Sequence, residues 1–295
     1  MLTITSCPKY LTHFVANHYA HIRTESIGIY HIDSRAHYTF IFLHSSIIYT
    51  AFKALIEIPA FRHQIIEPNM QPPSTPPSSA EALLERCYAI AGLSLGELAT
   101  LAEVAIPKDL QRHKGWPGML IERWLGASAG SKPQQDFPEL GIELKTIPID
   151  SDFRPLETTY VCFAPLLMPP GITWETSNVR NKLQQVLWLP IEGDRRIPLA
   201  ERRVATGFMW QPSLQEDTLL QRDWEELTEH IFTGNVESMT SRQGVALHIR
   251  PKAANGKVLT DALGPEGERI KTRPRGFYLR KTFTHNILIN AFSSR

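Results

Sequence analysis

The sequence predicts a mixed α/β fold, because segments with helical periodicity alternate with short segments of strand character. Two helix-start signals support this prediction. Ser79 precedes acidic and apolar residues at helical spacing, and Ser94 forms a capping box with Glu97. In residues 140–146, apolar side chains alternate with glycine and charged residues, which is typical of a half-buried strand.

Six helices are predicted. The helix that begins at Ser79 ends at Gly92, and the next runs over residues 95–104. A third, Trp116–Leu125, is apolar on almost all sides and is therefore expected to be buried. The remaining helical patterns cover residues 174–183, 214–232 and 284–292.

Strands are predicted between these helices. The strand at residues 140–146 is followed by four more, at residues 158–164, 186–191, 245–249 and 276–281. No internal repeat is present, so the sequence predicts a single arrangement of alternating elements rather than a repeated unit.

Charge is distributed unevenly along the chain, although the net charge is only +1. Residues 250–295 hold ten Lys and Arg against three Asp and Glu, whereas residues 70–249 hold sixteen against twenty-three. A basic C-terminal segment on an acidic body is typical of phosphate binding. The alternative is an ordinary solvated surface.

The cysteine content and the hydropathy of the chain indicate its cellular compartment. Cys7, Cys87 and Cys162 are too few and too scattered for a disulfide framework or a zinc site, so we expect a cytoplasmic protein. Residues 36–52 carry no formal charge but are short and polar for a membrane span. The N-terminus also lacks the basic region of a secretory signal, so we expect no membrane association.

The first 69 residues differ in composition from the rest. They hold seven of the eleven histidines and one glycine, and all six tryptophans lie downstream. We expect residues 1–69 to be a non-native or disordered extension, residues 70–295 to form the functional domain, and Met70 to be the natural initiator. N-terminal mass analysis of the natural protein tests this, and peptides from residues 1–69 would contradict it.

Asp136, Glu143 and Lys145 form the main candidate active site. On a strand, Glu143 and Lys145 project from one face, roughly 7 Å apart. Two carboxylates and an ammonium suit a Mg²⁺ site for phosphodiester hydrolysis, in which lysine orients water or offsets charge at the transition state. The same string also occurs by chance on exposed edge strands.

Two neighbouring features strengthen the candidate. Glu122 lies within the helix that is expected to be buried, and a buried glutamate requires a partner such as a metal ion or Lys145. The small residues of the loop 127–133 allow the backbone to approach a phosphate. The alternative is a plain linker, with Glu122 paired to a structural arginine.

Four segments within residues 70–285 together resemble the MutH family of mismatch-repair endonucleases. They are Leu-Gly-Ala-Ser-Ala-Gly-Ser-Lys-Pro at 125–133, Leu-Lys-Thr-Ile-Pro at 144–148, Arg-Pro-Lys-Ala-Ala-Asn at 250–255 and Pro-Arg-Gly-Phe-Tyr-Leu at 274–279. The resemblance implies a restriction-endonuclease-like fold, with a central mixed sheet flanked by helices and two lobes around a DNA cleft. It also implies Mg²⁺-dependent nicking of the unmethylated strand at hemimethylated GATC sites.

Asp136 and Glu143 are the expected metal ligands, together with the carbonyl oxygen of Leu144. Glu122 would complete a second metal site, so one or two Mg²⁺ ions are expected, and Lys145 would act on the attacking water. The resemblance further implies that the chain is a monomer on double-stranded DNA, activated by MutL after MutS has found a mismatch.

Three lysines, Lys114, Lys132 and Lys182, are candidate phosphate contacts. For each one, a surface lysine without a role is an equal alternative.

The recognition candidates, by resemblance, are Arg250, Lys252 and Tyr278. Arginine and lysine can read guanine O6 and N7 in the major groove, and a tyrosine ring beside adenine N6 could sense an added methyl group. Arg275 is expected to position the DNA backbone and Tyr160 to stack near the substrate. On sequence alone, a tyrosine at this position is more often a strand residue packed on its neighbours.

Two other functions remain open. One is a type II restriction-like endonuclease that cuts both strands as a dimer. The other is a catalytically silent protein that binds DNA or docks MutL, and the intact set of Asp136, Glu143 and Lys145 argues against it.

Overall fold

The computed structural model describes residues 2–5, 31–32, 37–40, 70–107, 113, 115–130, 132–253 and 256–293. The chain divides into two compact units, residues 1–67 with 290–295, and residues 68–289. In the first unit, β1 (Leu2–Thr5), β2 (His31–Ile32) and β3 (His37–Phe40) form an antiparallel sheet in the order β1-β3-β2. The expected character of residues 1–69 falls mostly outside the described residues and stays a prediction.

Serine side chains cap the starts of four helices, where the first backbone N–H groups have no partner within the helix. Ser94 and Ser213 each form a full capping box, with Glu97 and Glu216 respectively. The α-helices of the described residues are α1 (Ala80–Ile90), α2 (Leu95–Leu101), α3 (Trp116–Leu125), α4 (Asn178–Leu183), α5 (Leu214–Phe232) and α6 (Lys281–Ser293). None of these described helices combines the length and the apolarity that a membrane crossing needs.

Eight further strands form two three-stranded sheets and a hairpin. They are β4 (Glu143–Ile149), β5 (Thr159–Ala164), β6 (Val186–Glu192), β7 (Phe208–Trp210), β8 (Leu247–Pro251), β9 (Thr260–Leu263), β10 (Arg269–Thr272) and β11 (Arg275–Leu279). In the sheet β4-β6-β7, β4 and β6 run parallel and β7 is antiparallel. The sheet β5-β11-β8 is antiparallel throughout, and β9 pairs with β10. The predicted mixed α/β class is therefore confirmed.

The central strand β6 lies in the core and is buried from Val186 to Ile191. A strand that is covered on both faces needs a continuous apolar run, which residues 186–191 provide. Trp188, which is fully buried, packs edge-on against Trp210 with 6.3 Å between the ring centroids. Because β6 is anchored in this way, its parallel neighbour β4 has a rigid support.

The strand predicted at residues 140–146 starts later and ends later than expected. Residues 138–140 form a short 3₁₀ turn, and Gly141 follows in the left-handed region with φ +65°. β4 therefore begins only at Glu143, and its parallel pairing with β6 extends it to Ile149.

Other boundaries differ for local reasons. In the helix predicted at residues 174–183, only residues from Asn178 onward are helical, because Ser177 caps the helix there. The helix Trp116–Leu125 has the predicted bounds but is not buried on all sides, since Met119 and Arg123 are exposed. The short strands β7, β9 and β10 had no clear sequence signal.

Candidate active site

The carboxylate of Glu143, the first residue of β4, is the centre of a buried ionic cluster. Its Oε1 lies 2.6 Å from Lys145 Nζ and its Oε2 lies 2.7 Å from Lys182 Nζ. Glu143 and Lys145 are two residues apart on a strand, so their side chains share a face. Lys182 reaches the same carboxylate from α4. A glutamate that is only 3% exposed needs such partners, because an unpaired buried charge is strongly unfavourable.

The segment before Asp136 is tied to α4. Lys182 Nζ donates a second hydrogen bond, to the carbonyl oxygen of Gln134. The buried Gln135 side chain donates from Nε2 to both the carbonyl oxygen and Oδ1 of Asn181, each at 2.8 Å. Two consecutive residues of this segment are therefore hydrogen-bonded to one short helix, and these bonds fix the position of the next residue, Asp136.

Asp136 accepts hydrogen bonds from three backbone N–H groups. Its Oδ2 accepts a 2.8 Å hydrogen bond from the N–H of Leu144, the second residue of β4. Its carbonyl oxygen accepts from the N–H groups of Ser128 and Ala129, in the loop after α3. Reciprocal hydrogen bonds between the backbones of Phe137 and Ile142 close the intervening turn. This turn returns the chain so that Asp136 faces the start of β4.

The acidic side chains of this cluster influence one another electrostatically. Burial, and then repulsion by Glu143, raises the pKa of Asp136. Burial is also the main reason why the pKa of Glu122 is raised to about 7, and the charges of Asp136 and Glu143 add to it. Lys145 and Lys182 act in the opposite direction on both carboxyls. Glu122 therefore belongs to the same electrostatic site as the other two acids.

The position of Glu122 follows from the packing of α3 on β4. A Cβ atom placed at Gly118, one turn before Glu122, would lie 3.7 Å from Thr146 Oγ1 and 4.0 Å from Glu122 Oε1. At Gly118, α3 therefore passes within ordinary contact distance of β4, with the Glu122 carboxylate alongside.

The donor atoms suit a hard divalent cation. Asp136 and Glu143 are carboxylates that repel one another, and the carbonyl oxygen of Leu144 adds a neutral oxygen, which is the donor chemistry that Mg²⁺ prefers. Within the described ranges, no three His, Cys, Asp or Glu side chains are grouped so that they could hold one ion. The chemistry of these donors therefore suits such an ion, whereas a site made of three acids is not preassembled among the described residues.

The candidate phosphate lysines have different environments. Lys132 is exposed, as a phosphate contact requires. Lys182 is only 8% exposed and is bound to Glu143, so the structure places it in the carboxylate cluster rather than on the surface. Lys114 lies outside the described residues.

Two cations and two tyrosines form one face of the sheet β5-β11-β8, which we call the basic–aromatic face: Tyr160, Arg250, Lys252 and Tyr278. The tyrosine rings pack edge-on, with centroids 5.3 Å apart. The Lys252 Nζ atom lies 4.4 Å from the Tyr160 ring centroid, and the Arg250 guanidinium carbon lies 5.6 Å from that of Tyr278. A Cβ at Gly276 would lie 2.8 Å from the Tyr160 ring, so glycine is required beneath it.

Arg275 lies away from this face. It is 8% exposed, and its Nη2 atom lies 3.6 Å from Glu237 Oε2. Because neighbouring residues of a strand point to opposite faces, Arg275 is directed away from Gly276 and Tyr278. The expectation that Arg275 positions the DNA backbone does not fit this buried, paired position.

The carboxylate cluster and the basic–aromatic face meet at β5. Burial is the main cause of the raised pKa of Tyr160, and the charge of Glu143 contributes to it. Burial likewise raises the pKa of Cys162, on which Lys145 and Lys182 also act. The charges of the carboxylate cluster therefore act on two residues of β5, and one of them, Tyr160, belongs to the basic–aromatic face.

The fold and the site together define a class: a mixed α/β protein of the restriction-endonuclease-like type, with acids and lysines gathered at the start of a strand. The family model described as DNA mismatch repair enzyme MutH matches residues 125–223. The chain belongs to the MutH family, which confirms the resemblance carried by the four sequence segments.

Similar proteins cover most of the chain. It is 59% identical over 225 residues to the DNA mismatch repair protein MutH of Klebsiella pneumoniae (strain 342), covering 76% of this chain and 97% of that protein. It is 56% identical over 223 residues to the MutH of Serratia proteamaculans (strain 568), covering 76% and 98%. It is 59% identical over 218 residues to the MutH of Salmonella paratyphi B, covering 74% and 94%.

Several residues of the cluster were not found from the sequence. Gln134, Gln135 and Asn181 fix its geometry, and Lys182 was assigned to phosphate rather than to Glu143. These residues meet only through tertiary contacts between segments that are 39 to 48 positions apart. No local pattern at Gln135 or Asn181 indicates such a contact.

Proposed function

We propose that this chain is a Mg²⁺-dependent endonuclease that nicks the unmethylated strand at hemimethylated GATC sites during mismatch repair. Membership of the MutH family supports a role in mismatch repair. The observation that carries the catalytic part is the buried cluster, in which two lysines bind Glu143 and the Leu144 N–H holds Asp136 in place.

The residues of the cluster have distinct roles in this proposal. Asp136, Glu143 and the carbonyl oxygen of Leu144 would hold the ion, which when bound polarises the scissile phosphate and lowers the pKa of water. Lys145 orients the attacking water and offsets negative charge near phosphorus. Lys182 holds the second oxygen of Glu143, which keeps that side chain in one position. Glu122 is available for a second ion.

Mg²⁺ is expected to raise the unfolding temperature of the protein in the absence of DNA. A ligand that binds only the folded state at a hundred times its dissociation constant adds about 2.7 kcal/mol of stability. Asp136→Asn and Glu143→Gln should each lose this Mg²⁺-dependent increase, whereas the exposed Glu139→Gln should keep it. Differential scanning fluorimetry with and without MgCl₂ measures it, and equal increases in all four proteins would contradict the assigned ligands.

The basic–aromatic face is proposed to read the DNA sequence. Arg250 is exposed and donates to Thr158 Oγ1 at 2.8 Å, so its guanidinium is already oriented. Lys252 is exposed as well. Both side chains can donate to guanine in the major groove, and Tyr278, whose ring lies beside the Arg250 guanidinium, is half-buried.

Tyr278→Ala is expected to reduce discrimination between hemimethylated and fully methylated GATC by about tenfold, because a lost contact of about 1.4 kcal/mol corresponds to that factor. Nicking rates on the two duplexes measure the ratio. Tyr88→Ala, at an exposed tyrosine of α1, is the matched control and should leave the ratio unchanged. An unchanged ratio in Tyr278→Ala would remove the methyl-sensing role.

The test of the proposed function is a plasmid with a single GATC site in its unmethylated, hemimethylated or fully methylated form. Nicked circles from the hemimethylated plasmid, formed only with Mg²⁺, are the expected product. Linear product would indicate the restriction-like alternative, and intact plasmid under every condition would indicate a catalytically silent protein.

The remaining parts of the proposal concern partners and location. We expect MutL to increase nicking when it is added to the plasmid assay, and we expect a monomer to be the active species. Cys87 and Cys162 are free thiols that lie buried, which is compatible with a reducing cytoplasmic location.

A further inference from the structure

Residues 241–247, here called the lead-in segment, connect α5 and its following turn to β8, the strand that carries Arg250. Two charged side chains of opposite sign hold this segment, Asp223 from α5 and Arg280, the residue that follows β11. We propose that Asp223 and Arg280 are positioning residues for DNA recognition, which fix the lead-in segment and so set the positions of Arg250 and Lys252. This inference rests on the proposed function of the basic–aromatic face.

Asp223 binds backbone N–H groups of the lead-in segment. It is fully buried, and its Oδ2 atom accepts hydrogen bonds of 2.5–2.9 Å from three consecutive backbone N–H groups, those of Val245, Ala246 and Leu247. Such charge-assisted bonds are stronger than bonds between neutral groups. Its Oδ1 atom has no hydrogen-bond partner within the described part of the chain, and Arg222 Nη2 lies 3.8 Å from it.

Arg280 binds backbone carbonyl oxygens of the same segment. Its Nε atom donates to the carbonyl oxygen of Gly244 at 2.8 Å. Its Nη2 atom donates to the carbonyl oxygens of Ser241 and Gln243, at 2.8 and 2.9 Å. Its backbone N–H donates to the carbonyl oxygen of Ala246. All the backbone groups that the two charged side chains bind therefore belong to the seven residues 241–247.

The turn inside the lead-in segment has no space for a side chain at Gly244. Gly244 has φ +75°, and a Cβ atom there would lie 1.9 Å from the carbonyl oxygen of Leu247 and 3.4 Å from Asp223 Cγ. The ring of His248, at the next position, also reaches back to the Ser241 carbonyl oxygen, at 3.3 Å from Nδ1. The backbone therefore passes tightly around the carboxylate of Asp223 before β8 begins.

The position of β8 follows directly from this anchor. Leu247 is both the third donor to Asp223 and the first residue of β8, where it pairs with Leu279. Arg250 lies three residues further along the same extended strand, opposite Gly276. A shift at Leu247 therefore moves Arg250, and with it the ring contact with Tyr278, because a paired strand moves as a unit.

A purely structural role for Asp223 makes a different prediction. It would lower only the stability of the protein, and at temperatures well below unfolding the folded molecules would bind and read DNA normally. A positioning role changes the KM for DNA and the choice of site in molecules that are folded. The two roles therefore separate in kinetics measured far below the unfolding midpoint.

The test uses Asp223→Asn and Arg280→Lys in the full chain, each of which weakens one side of the anchor. We expect each variant to raise the KM for a hemimethylated GATC duplex about tenfold, with kcat within about twofold of the wild type, because the catalytic cluster is untouched. The ratio of kcat/KM between GATC and a duplex with one altered base pair should fall about tenfold, which corresponds to about 1.4 kcal/mol. Glu226→Gln, an exposed change on the same helix, is the matched control and should retain wild-type values.

The outcomes are distinct. If the wild type does not nick GATC DNA, the proposed function fails and this inference fails with it. If the wild type is active and the folded variants show lower unfolding temperatures with unchanged KM and unchanged site discrimination, the positioning role alone is overturned. If Asp223→Asn does not fold, Arg280→Lys decides the question by the same two kinetic quantities.

Discussion

Replacing Glu143 with glutamine is expected to lower the rate of strand nicking by about a thousandfold or more, an effect of the size seen when a main electrostatic element of an active site is lost. The change keeps the size of the side chain but removes the charge. Lys145 and Lys182 would then face a neutral amide, and the proposed metal site would lose one of its two carboxylates. DNA affinity is expected to change little, because removing a negative charge does not weaken contacts with phosphate.

Three alanine variants complete this prediction. Asp136→Ala, Glu143→Ala and Lys145→Ala should each abolish nicking and leave DNA binding largely intact. In Lys145→Ala the Glu143 carboxylate keeps Lys182 as a partner, so the fold around it should survive. Plasmid nicking and gel-shift measurements on the same preparations separate catalysis from binding, and Glu139→Gln serves as the exposed control. Full nicking activity in any of the three alanine variants would refute the assignment.

Replacing Trp188 with alanine is expected to lower the free energy of unfolding by about 3–5 kcal/mol, because it removes a large aromatic side chain from a packed core and leaves a cavity. Trp188 is fully buried in β6, where it pairs with Lys145 of β4 in the strand register. Its ring also packs edge-on against Trp210, which in turn packs against Phe283. One substitution therefore weakens the support of the strand that carries the catalytic candidates.

Trp188→Phe is the appropriate control for this prediction. Phenylalanine retains most of the aromatic contact and eliminates a buried indole N–H that has no hydrogen-bond partner among the described residues. Its cost is expected to be smaller, about 1–2 kcal/mol. Urea unfolding followed by far-ultraviolet circular dichroism measures both variants. An alanine variant within about 1 kcal/mol of the wild type would show that β6 does not depend on this side chain.

The parts of the site that sequence could predict are those determined by local spacing. Glu143 and Lys145 are two residues apart, so any strand brings their side chains to one face. Glu122 could be placed near them because a glutamate inside an apolar helix requires compensation. Capping serines were equally readable, since Ser79, Ser94 and their neighbours act within one helical turn.

The parts that sequence did not predict depend on contacts between distant segments. Lys182 meets Glu143 from a helix that lies 39 positions further along the chain, so its spacing carries no information about the pair. Arg275 is expected from the resemblance to position the DNA backbone, whereas the strand alternation turns its side chain towards Glu237. Asp223 lies in a helix rich in acidic residues, and nothing local distinguishes it from its solvated neighbours.

The geometry of the candidate active site depends on the number of residues in the short turn between Phe137 and Ile142. The turn is closed by reciprocal backbone hydrogen bonds and includes a left-handed glycine, so it fits only its present number of residues. One inserted residue would leave all the acids and lysines in the protein, yet it would move Asp136 out of reach of the Leu144 N–H. We therefore expect this turn to tolerate a change of its exposed side chain at Glu139 more readily than the gain or loss of a single codon.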